Sequence, residues 1–167
     1  KSFASVKPTG KRFVLAIDVS GSMTWGSVCG GAITPREAAG AMAMVTLRTE
    51  AHCHTLGFTT HLVPLDMRPT STLTQVCTAM DNLPFGGTDC AAPMVHCQRH
   101  NVQADVFIVF TDNETYHGDV HPSQALRNYR AHTGIPAKLI VVGIMSNGFT
   151  IADPADKGML DICGFDA

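Results

Sequence analysis

Short runs of consecutive apolar residues recur along the chain, at residues 13–17 (FVLAI), 106–110 (VFIVF) and 139–142 (LIVV). Runs of this length are typical of strands that are buried on both faces, as in a parallel sheet. Two further runs, at 53–58 and 61–65, are separated by only two residues. So tight a connection forces the two predicted strands to pair antiparallel.

Helices are predicted between the apolar runs by their capping residues. Two capping boxes, Thr34-x-x-Glu37 and Thr72-x-x-Gln75, place side-chain oxygens where they satisfy the free N–H groups of a first helical turn. Further helices are indicated where apolar residues recur at helical spacing and a glycine or proline then follows. The predicted helices cover residues 35–50, 73–82, 88–100, 122–132 and a short segment from 153, with Ala38, Met42, Val45, Leu73, Val76, Cys77, Met80, Ala125, Leu126 and Tyr129 facing inward.

The alternation of strands and helices predicts the fold class. It indicates an α/β fold with a doubly wound, mostly parallel sheet, one antiparallel edge strand and helices on both faces, as in Rossmann-like domains. The 167 residues have the usual size of one domain, so we expect a single domain over 1–167. Only 16% of the residues are charged, which fits either a piece of a longer chain or a compact α/β core.

The composition argues against several classes of partner. A formal net charge of −2 supplies no field that would attract nucleic acid or an anionic membrane. No apolar run approaches the ~18 residues that a membrane span needs, so no membrane partner is predicted. The six cysteines include no C-x-x-C pair, which favours reduced thiols and an intracellular protein, although their even number leaves disulfides open.

Oxygen-bearing side chains follow two of the predicted parallel strands and precede a predicted helix. Asp18, Ser20 and Ser22 alternate directly after the first strand, Thr88 follows Gly-Gly at a helix start, and Asp112 follows the 106–110 run. In an open parallel sheet, ligands bind beyond the carboxyl ends of the strands. We therefore expect these five side chains to converge at one edge of the sheet.

Two carboxylates and three hydroxyls, with no His or Cys, form a hard donor set. Such a set suits Mg²⁺, Mn²⁺ or Ca²⁺ and not Zn²⁺, and we predict one bound Mg²⁺. Because hydroxyls are weak ligands, the cation should keep a position open to water, or to an oxygen or carboxylate ligand of a partner. A D-x-S-x-S sequence alone is as consistent with a capped turn, so the prediction depends on the three motifs together.

The three motifs, D-x-S-x-S, G-G-T and T-D, resemble the metal-ion-dependent adhesion site (MIDAS) of von Willebrand factor A (vWA) domains. Longer stretches, PTGKRF, GGTDC, ADVFIVFTDNET, HPSQALRNYR, IPAKLIV and SNGFTIADP, are similar to the C-terminal half of the Ro autoantigen family, the TROVE-domain ribonucleoproteins. The resemblance implies a metal-binding module of an RNA-handling protein in the cytoplasm or nucleus. It also implies that Y RNAs and misfolded noncoding RNAs bind a ring of helical repeats in the parent protein, and not this part.

Several residues beside the predicted ligands are candidates for supporting roles. Asp89 and Glu114 adjoin ligands and either orient them or cap the local backbone. His117 and His121 are candidate rim residues, together with the loop 24–34. Elsewhere, His96 and His100 lie four residues apart on a predicted helix, but without a third ligand we interpret them as a surface pair.

Three functions from different classes are compatible with these motifs. We expect a binding module and no enzymatic activity. A Mg²⁺-dependent phosphoryl-transfer enzyme is the main alternative, since an Asp after the first strand of such a fold can be a nucleophile. The position two residues on is Ser20 and not a second acid, and no lysine clearly completes such a site. An extracellular adhesion domain is opposed by the expected free thiols and by the Ro-like stretches.

Overall fold

The strands and helices of the chain follow the predicted alternation. A computed structural model describes residues 6–31, 33–83, 86–112, 118–145 and 151–164 of the 167. Within these ranges the strands are β1 (Arg12–Asp18), β2 (His52–Phe58), β3 (Leu62–Pro64), β4 (Val106–Thr111), β5 (Lys138–Gly143) and β6 (Met159–Cys163). The α-helices are α1 (Pro35–Thr49), α2 (Leu73–Asp81), α3 (Ala92–Arg99) and α4 (Pro122–Thr133), and short 3₁₀ turns lie at Gly21–Thr24 and Cys29–Gly31.

Among the described residues the sheet has six strands in the order β3-β2-β1-β4-β5-β6. Every neighbouring pair is parallel except β2 and β3. The predicted α/β class, with a mostly parallel sheet and one antiparallel edge strand, is confirmed. Because β1 has β2 on one side and β4 on the other, the direction of winding reverses beside β1, which is where such folds place their ligands.

The two faces of the sheet are covered by different helices. On β1, Val14 and Ala16 point to one face, and Leu15 and Ile17 point to the other. The first face packs against buried side chains of α3 and α4, and the second against those of α1 and α2. This two-sided burial explains why the central strands are continuous apolar runs.

The structure corrects part of the predicted inward face of two helices, although Ala38, Val76 and Met80 are buried as predicted. Val45 of α1 is 40% exposed and Met42 is only partly buried, while Leu73 of α2 is 38% exposed. The buried stripe of α1 is built mainly of small residues, which carry little hydrophobic signal but allow a close approach to α2. At Gly40, for example, a Cβ atom would lie 3.0 Å from Cε of Met80.

The C-terminal part of the described chain also differs from the prediction. Residues 153–158 form turns, in which Asp156 N donates to Asp153 O, and the expected short helix from 153 is wrong. The chain then enters β6, which the sequence did not predict. Leu160 and Ile162 of this edge strand are exposed, so β6 lacks the continuous burial that identified the central strands.

The helix termini agree closely with the sequence signals. Both capping boxes form, at Thr34 and at Thr72, and α4 ends at Gly134, whose φ of 71° suits a residue without a side chain. Only α3 begins later than expected, at Ala92, because residues 89–91 form a turn instead of a first helical turn.

Candidate metal centre

Asp18 ends the central strand β1 and is fully buried. Its Oδ1 accepts a hydrogen bond from Ser20 N at 2.8 Å, and its Oδ2 accepts one from Thr111 Oγ1 at 2.9 Å. The second bond joins the ends of β1 and β4, which are paired in parallel. The side chain is therefore held rigidly at the carboxyl edge of the sheet.

The charge of Asp18 is poorly compensated. The donors to its carboxylate among the described residues are neutral groups of Ser20 and Thr111. Burial, together with the nearby charge of Asp112, raises the pKa of Asp18 from 3.8 to about 6, although the hydrogen bonds from Ser20 and Thr111 act in the opposite direction. A buried carboxylate in this position would be stabilised by a cation placed against it.

Ser20 and Ser22 lie on the loop that leaves β1. Their hydroxyl oxygens are 3.1 Å apart, with Ser20 buried and Ser22 exposed. The loop is fixed from inside the domain by the buried Arg36 of α1. Its guanidinium donates to the carbonyl oxygens of Val19 at 2.9 Å and Ser20 at 3.2 Å. Ser22 is thus the member of this pair that faces solvent.

Thr88 and Asp112 reach the same edge from two other segments, and both are buried. Asp112 directly follows β4 and lies close enough to Asp18 to raise its pKa. The segment that carries Thr88 is tied to the end of β2, because Asp89 N donates to Thr59 O at 2.9 Å. The structure therefore gathers the five predicted ligands at the carboxyl edge; we call Asp18, Ser20, Ser22, Thr88 and Asp112 the oxygen cluster.

The candidate supporting residues have distinct local roles. The carboxylate of Asp89 accepts a hydrogen bond from Ala91 N at 2.9 Å and packs against Gly118. The ring Nδ1 of His121 accepts from Ser123 N at 3.3 Å and so caps α4. Glu114 and His117 lie outside the described residues.

Comparison with known proteins identifies the family. The family model for the Ro60 vWA domain matches residues 12–167. The chain belongs to the Ro60 vWA domain family. It is similar to the RNA-binding protein RO60 of Deinococcus radiodurans, with 46% identity over 99% of this chain, and to that of Caenorhabditis elegans, with 44% identity over 100% of it. The crystal structure of the Deinococcus radiodurans RO (RSR) protein has a TM-score of 0.89 and covers 99% of this chain.

These relatives of the Ro60 vWA domain are much longer proteins. The chain spans 32% of the Deinococcus relative, 26% of the Caenorhabditis relative and 34% of the chain in the crystal structure. Within the described residues, no helix of this domain is long and apolar enough to cross a membrane. The family and the fold are thus established for this chain, which spans about a third or less of each relative's length.

Sequence reasoning missed three residues that support the oxygen cluster of this Ro60 vWA domain. Arg36 lies within the first capping box, and Thr111 precedes Asp112 in the T-D motif, but neither side chain was predicted to act at the site. Thr59 was assigned to a turn, yet it is fully buried, and its Oγ1 has no hydrogen-bond partner among the described residues. A Cβ on Gly86 would lie 3.0 Å from that oxygen. The G-G before Thr88 was a usable signal, because one of these glycines allows this close approach.

The histidine pair of this Ro60 vWA domain lies on α3. The ring centroids of His96 and His100 are 4.3 Å apart. Within the described part of the chain, no group of three or more His, Cys, Asp or Glu side chains is arranged to hold a metal ion. This absence concerns His, Cys, Asp and Glu ligands and does not bear on the oxygen cluster, in which three of the five side chains are hydroxyls.

Proposed function

We propose that this Ro60 vWA domain is a metal-dependent binding module in which the oxygen cluster holds one Mg²⁺ and presents an open position to a carboxylate of a partner. The observation that carries the proposal is the burial of Asp18 beside Asp112. Two carboxylates brought together away from water repel each other, and a divalent cation relieves both the repulsion and the desolvation cost. Mn²⁺ or Ca²⁺ would suit the same oxygen donors.

The chemistry of the donor set supports an open position on the cation. Two carboxylates only just balance the charge of Mg²⁺, and the hydroxyls of Ser20, Ser22 and Thr88 add none. Mg²⁺ also gives up its water reluctantly and usually keeps several water ligands in protein sites. Since Ser22 is on the solvent side, a carboxylate of another molecule could replace a water there. The metal ion would act by coordinating this carboxylate, and the domain would not convert a substrate.

The loop after Ser22 supplies a candidate contact for the partner. Trp25 is 79% exposed, and its backbone N–H donates to Ser22 O at 3.0 Å. A large aromatic side chain beside an open metal position can add apolar contact area, and tryptophan is common among residues that dominate binding energy. We therefore propose that the loop 24–34 contributes to the choice of partner. Asp89 and His121 remain candidate rim residues, as do Glu114 and His117.

RNA binding is proposed for the parent protein and not for this domain alone. The relatives are named RNA-binding proteins, and the chain spans only about a third of them or less. A net charge of −2 offers few phosphate contacts, on which non-specific RNA affinity mainly rests. The RNA would bind the helical-repeat part, consistent with an RNA-handling protein of the cytoplasm or nucleus.

The phosphoryl-transfer alternative has less support. Both oxygens of Asp18 accept hydrogen bonds within the domain, and Ser20 occupies the position where a second acid would assist a nucleophile. The buried guanidinium of Arg36 donates to backbone carbonyls of the loop after β1. It is therefore used to hold the backbone and is not directed at a phosphate.

Calorimetric titration of Mg²⁺ and Mn²⁺ into the 167-residue chain tests the proposal. We expect one site, and no detectable binding in Asp18→Ala. Asp66→Ala is the matched control, because it removes an exposed carboxylate whose ion-pair partner among the described residues is Arg68. Equal metal binding in both variants would contradict the ligand assignment. An acidic peptide that binds equally in Mg²⁺ and in EDTA would leave the metal a structural role only.

A further inference from the structure

A cleft runs along α3, beside the oxygen cluster. Its volume is about 510 Å³. One end is lined by Thr60 and Asp89, which directly follow Thr59 and Thr88 in the chain. The α3 side is a stripe at helical spacing, from Ala91 and Ala92 through Val95 and His96 to Arg99 and His100. The cleft therefore leads from the edge of the oxygen cluster toward the C-terminal end of α3.

A positive charge lies at the far end of this cleft. Among the described residues, the Arg99 guanidinium makes no hydrogen bond or ion pair. The other arginines all have partners, namely Arg12, Arg36, Arg48, Arg68, Arg127 and Arg130. His96 and His100 lie on the same stripe. Burial, with the neighbouring rings of His100 and His54, lowers the pKa of His96 from its ordinary 6.5. Near neutral pH, Arg99 is thus the permanent cation, and His96 offers a neutral N–H.

We infer that the cleft along α3 is a second anion-binding subsite, so that the domain's ligand is an extended acidic peptide with one carboxylate at the oxygen cluster and another at Arg99. This inference rests on the proposed function for the first carboxylate only. A guanidinium without an internal partner is suited to a carboxylate, with which it forms strong charge-assisted hydrogen bonds.

The apolar and acidic parts of the cleft favour a peptide over RNA. Apolar side chains that a peptide side chain can pack against also line it, namely those of Ala91, Ala92, Val95 and Leu62. Asp89 and Asp119 also line it and would repel an RNA backbone, which carries a charge on every nucleotide. A peptide with only two carboxylates, one of them held by the metal ion, meets less of this repulsion. The aromatic rings among the described lining residues are those of His61, His96 and His100; none is a Phe, Tyr or Trp, which are the larger stacking surfaces of single-stranded RNA sites.

The length of α3 sets the spacing of the two acidic groups. The helical stripe from Ala91 to Arg99 rises by roughly 12 Å along the helix axis. An extended peptide covers that distance in about four residues. Because the oxygen cluster lies beyond the Ala91 end of this stripe, two adjacent acidic residues could not reach both subsites, and a separation of at least about four positions is needed.

Fluorescence anisotropy in Mg²⁺ tests the inference with three fluorescein-labelled peptides of glycine and alanine. One peptide carries a single glutamate, one carries two adjacent glutamates, and one carries two glutamates at that spacing. The spaced peptide should bind about tenfold more tightly than the other two, since one charge-assisted pair contributes a factor of that order. Arg99→Gln should remove this advantage. Lys157→Gln, an exposed residue outside the cleft that carries the same charge, should leave it unchanged.

The outcomes separate the inference from the proposed function. If EDTA abolishes binding of every peptide but Arg99→Gln leaves the spacing advantage intact, the cleft inference is overturned and the metal proposal stands. If Arg99→Gln weakens binding of the spaced peptide and EDTA has no effect, the metal proposal is overturned and the cleft inference stands. Equal affinity of the adjacent and spaced peptides would mean simple charge attraction and would overturn the inference. The inference would also be overturned if binding of a uridine oligonucleotide depends on Arg99 while binding of the peptides does not.

Discussion

Replacing Asp18 with asparagine separates the charge at the oxygen cluster from the shape of the side chain. Moving a carboxyl pKa from 3.8 in the unfolded chain to about 6 in the fold corresponds to roughly 3 kcal/mol of lost stability once the group is ionised. The amide removes that charge but cannot accept both hydrogen bonds from Ser20 N and Thr111 Oγ1. We therefore expect Asp18→Asn to stabilise the metal-free domain by about 1–3 kcal/mol at alkaline pH.

The pH dependence of this gain follows from the direction of the pKa shift. Because the folded pKa of Asp18 is raised, its stabilising contribution is fully present below the unfolded value of 3.8 and is lost as the pH rises through about 6. Without metal, Asp18→Asn and the unmodified chain should thus have similar free energies of unfolding near pH 4 and differ most above about pH 7.

Added Mg²⁺ should offset most or all of the stability advantage of Asp18→Asn. A ligand that binds only the folded state stabilises it by about 2.7 kcal/mol when its concentration is a hundred times Kd. The unmodified chain should gain this amount, and Asp18→Asn should gain nothing because a ligand carboxylate is missing. For a domain of this size, that gain corresponds to roughly 5–10 °C in Tm.

Urea unfolding followed by circular dichroism, in EDTA and in Mg²⁺, measures all four free energies. Asp66→Asn serves as the control for loss of an exposed carboxylate. Two results would refute the reasoning. One is a destabilised Asp18→Asn in EDTA above pH 7, which would mean that the hydrogen bonds outweigh the charge. The other is equal stabilisation of both proteins by Mg²⁺, which would place the metal elsewhere.

Three further predictions concern other parts of the domain. Arg36→Met keeps a similar side-chain volume but removes the donors to the Val19 and Ser20 carbonyls. We expect a loss of roughly 3 kcal/mol in stability and about tenfold weaker Mg²⁺ binding by calorimetry. The control variant Arg48→Met should leave the metal affinity unchanged. The Arg12 guanidinium lowers the pKa of Asp105 to about 2, so this pair stabilises the fold above about pH 4, and its contribution is lost toward pH 2. The free energy of unfolding of Asp105→Asn should therefore depend less on pH between about pH 4 and pH 2 than that of the unmodified chain. All six thiols should react with Ellman's reagent in denaturant without reductant, and fewer than six reactive thiols would support the extracellular alternative. In the native protein the thiol of Cys97 should react only slowly, because burial raises its pKa to about 12.

The sequence predicted those strands and sites whose signal is local. β1, β4 and β5 were identifiable because burial on both faces makes every position apolar. By contrast, β6 lies at the sheet edge, where Leu160 and Ile162 are exposed and the pattern resembles that of a loop. The face of α1 was misassigned because its packing depends on Gly40 and neighbouring alanines, which fit only when α2 is already in place.

The candidate site was predictable to a similar degree. Strand ends are local features, so the convergence of Asp18, Ser20 and Asp112 at one edge could be inferred from the order of strands. The role of Arg36 could not, because its contact with Val19 and Ser20 joins a helix to a loop that is 16 residues or more away in the sequence. Such contacts exist only in the assembled tertiary structure.

The central position of β1 has a consequence for the order of folding. β1 is bonded on one side to β2, which follows soon after it in the chain, and on the other to β4. The bond from Thr111 to Asp18 spans 93 residues, and contacts of such separation carry a large loop-closure cost and form late. A nascent chain that has not yet reached Asp112 therefore leaves the β4 side of its middle strand unpaired. The oxygen cluster is completed only when β4 pairs with β1, so the proposed Mg²⁺ binding should report the joining of the two halves of the sheet, not its initiation.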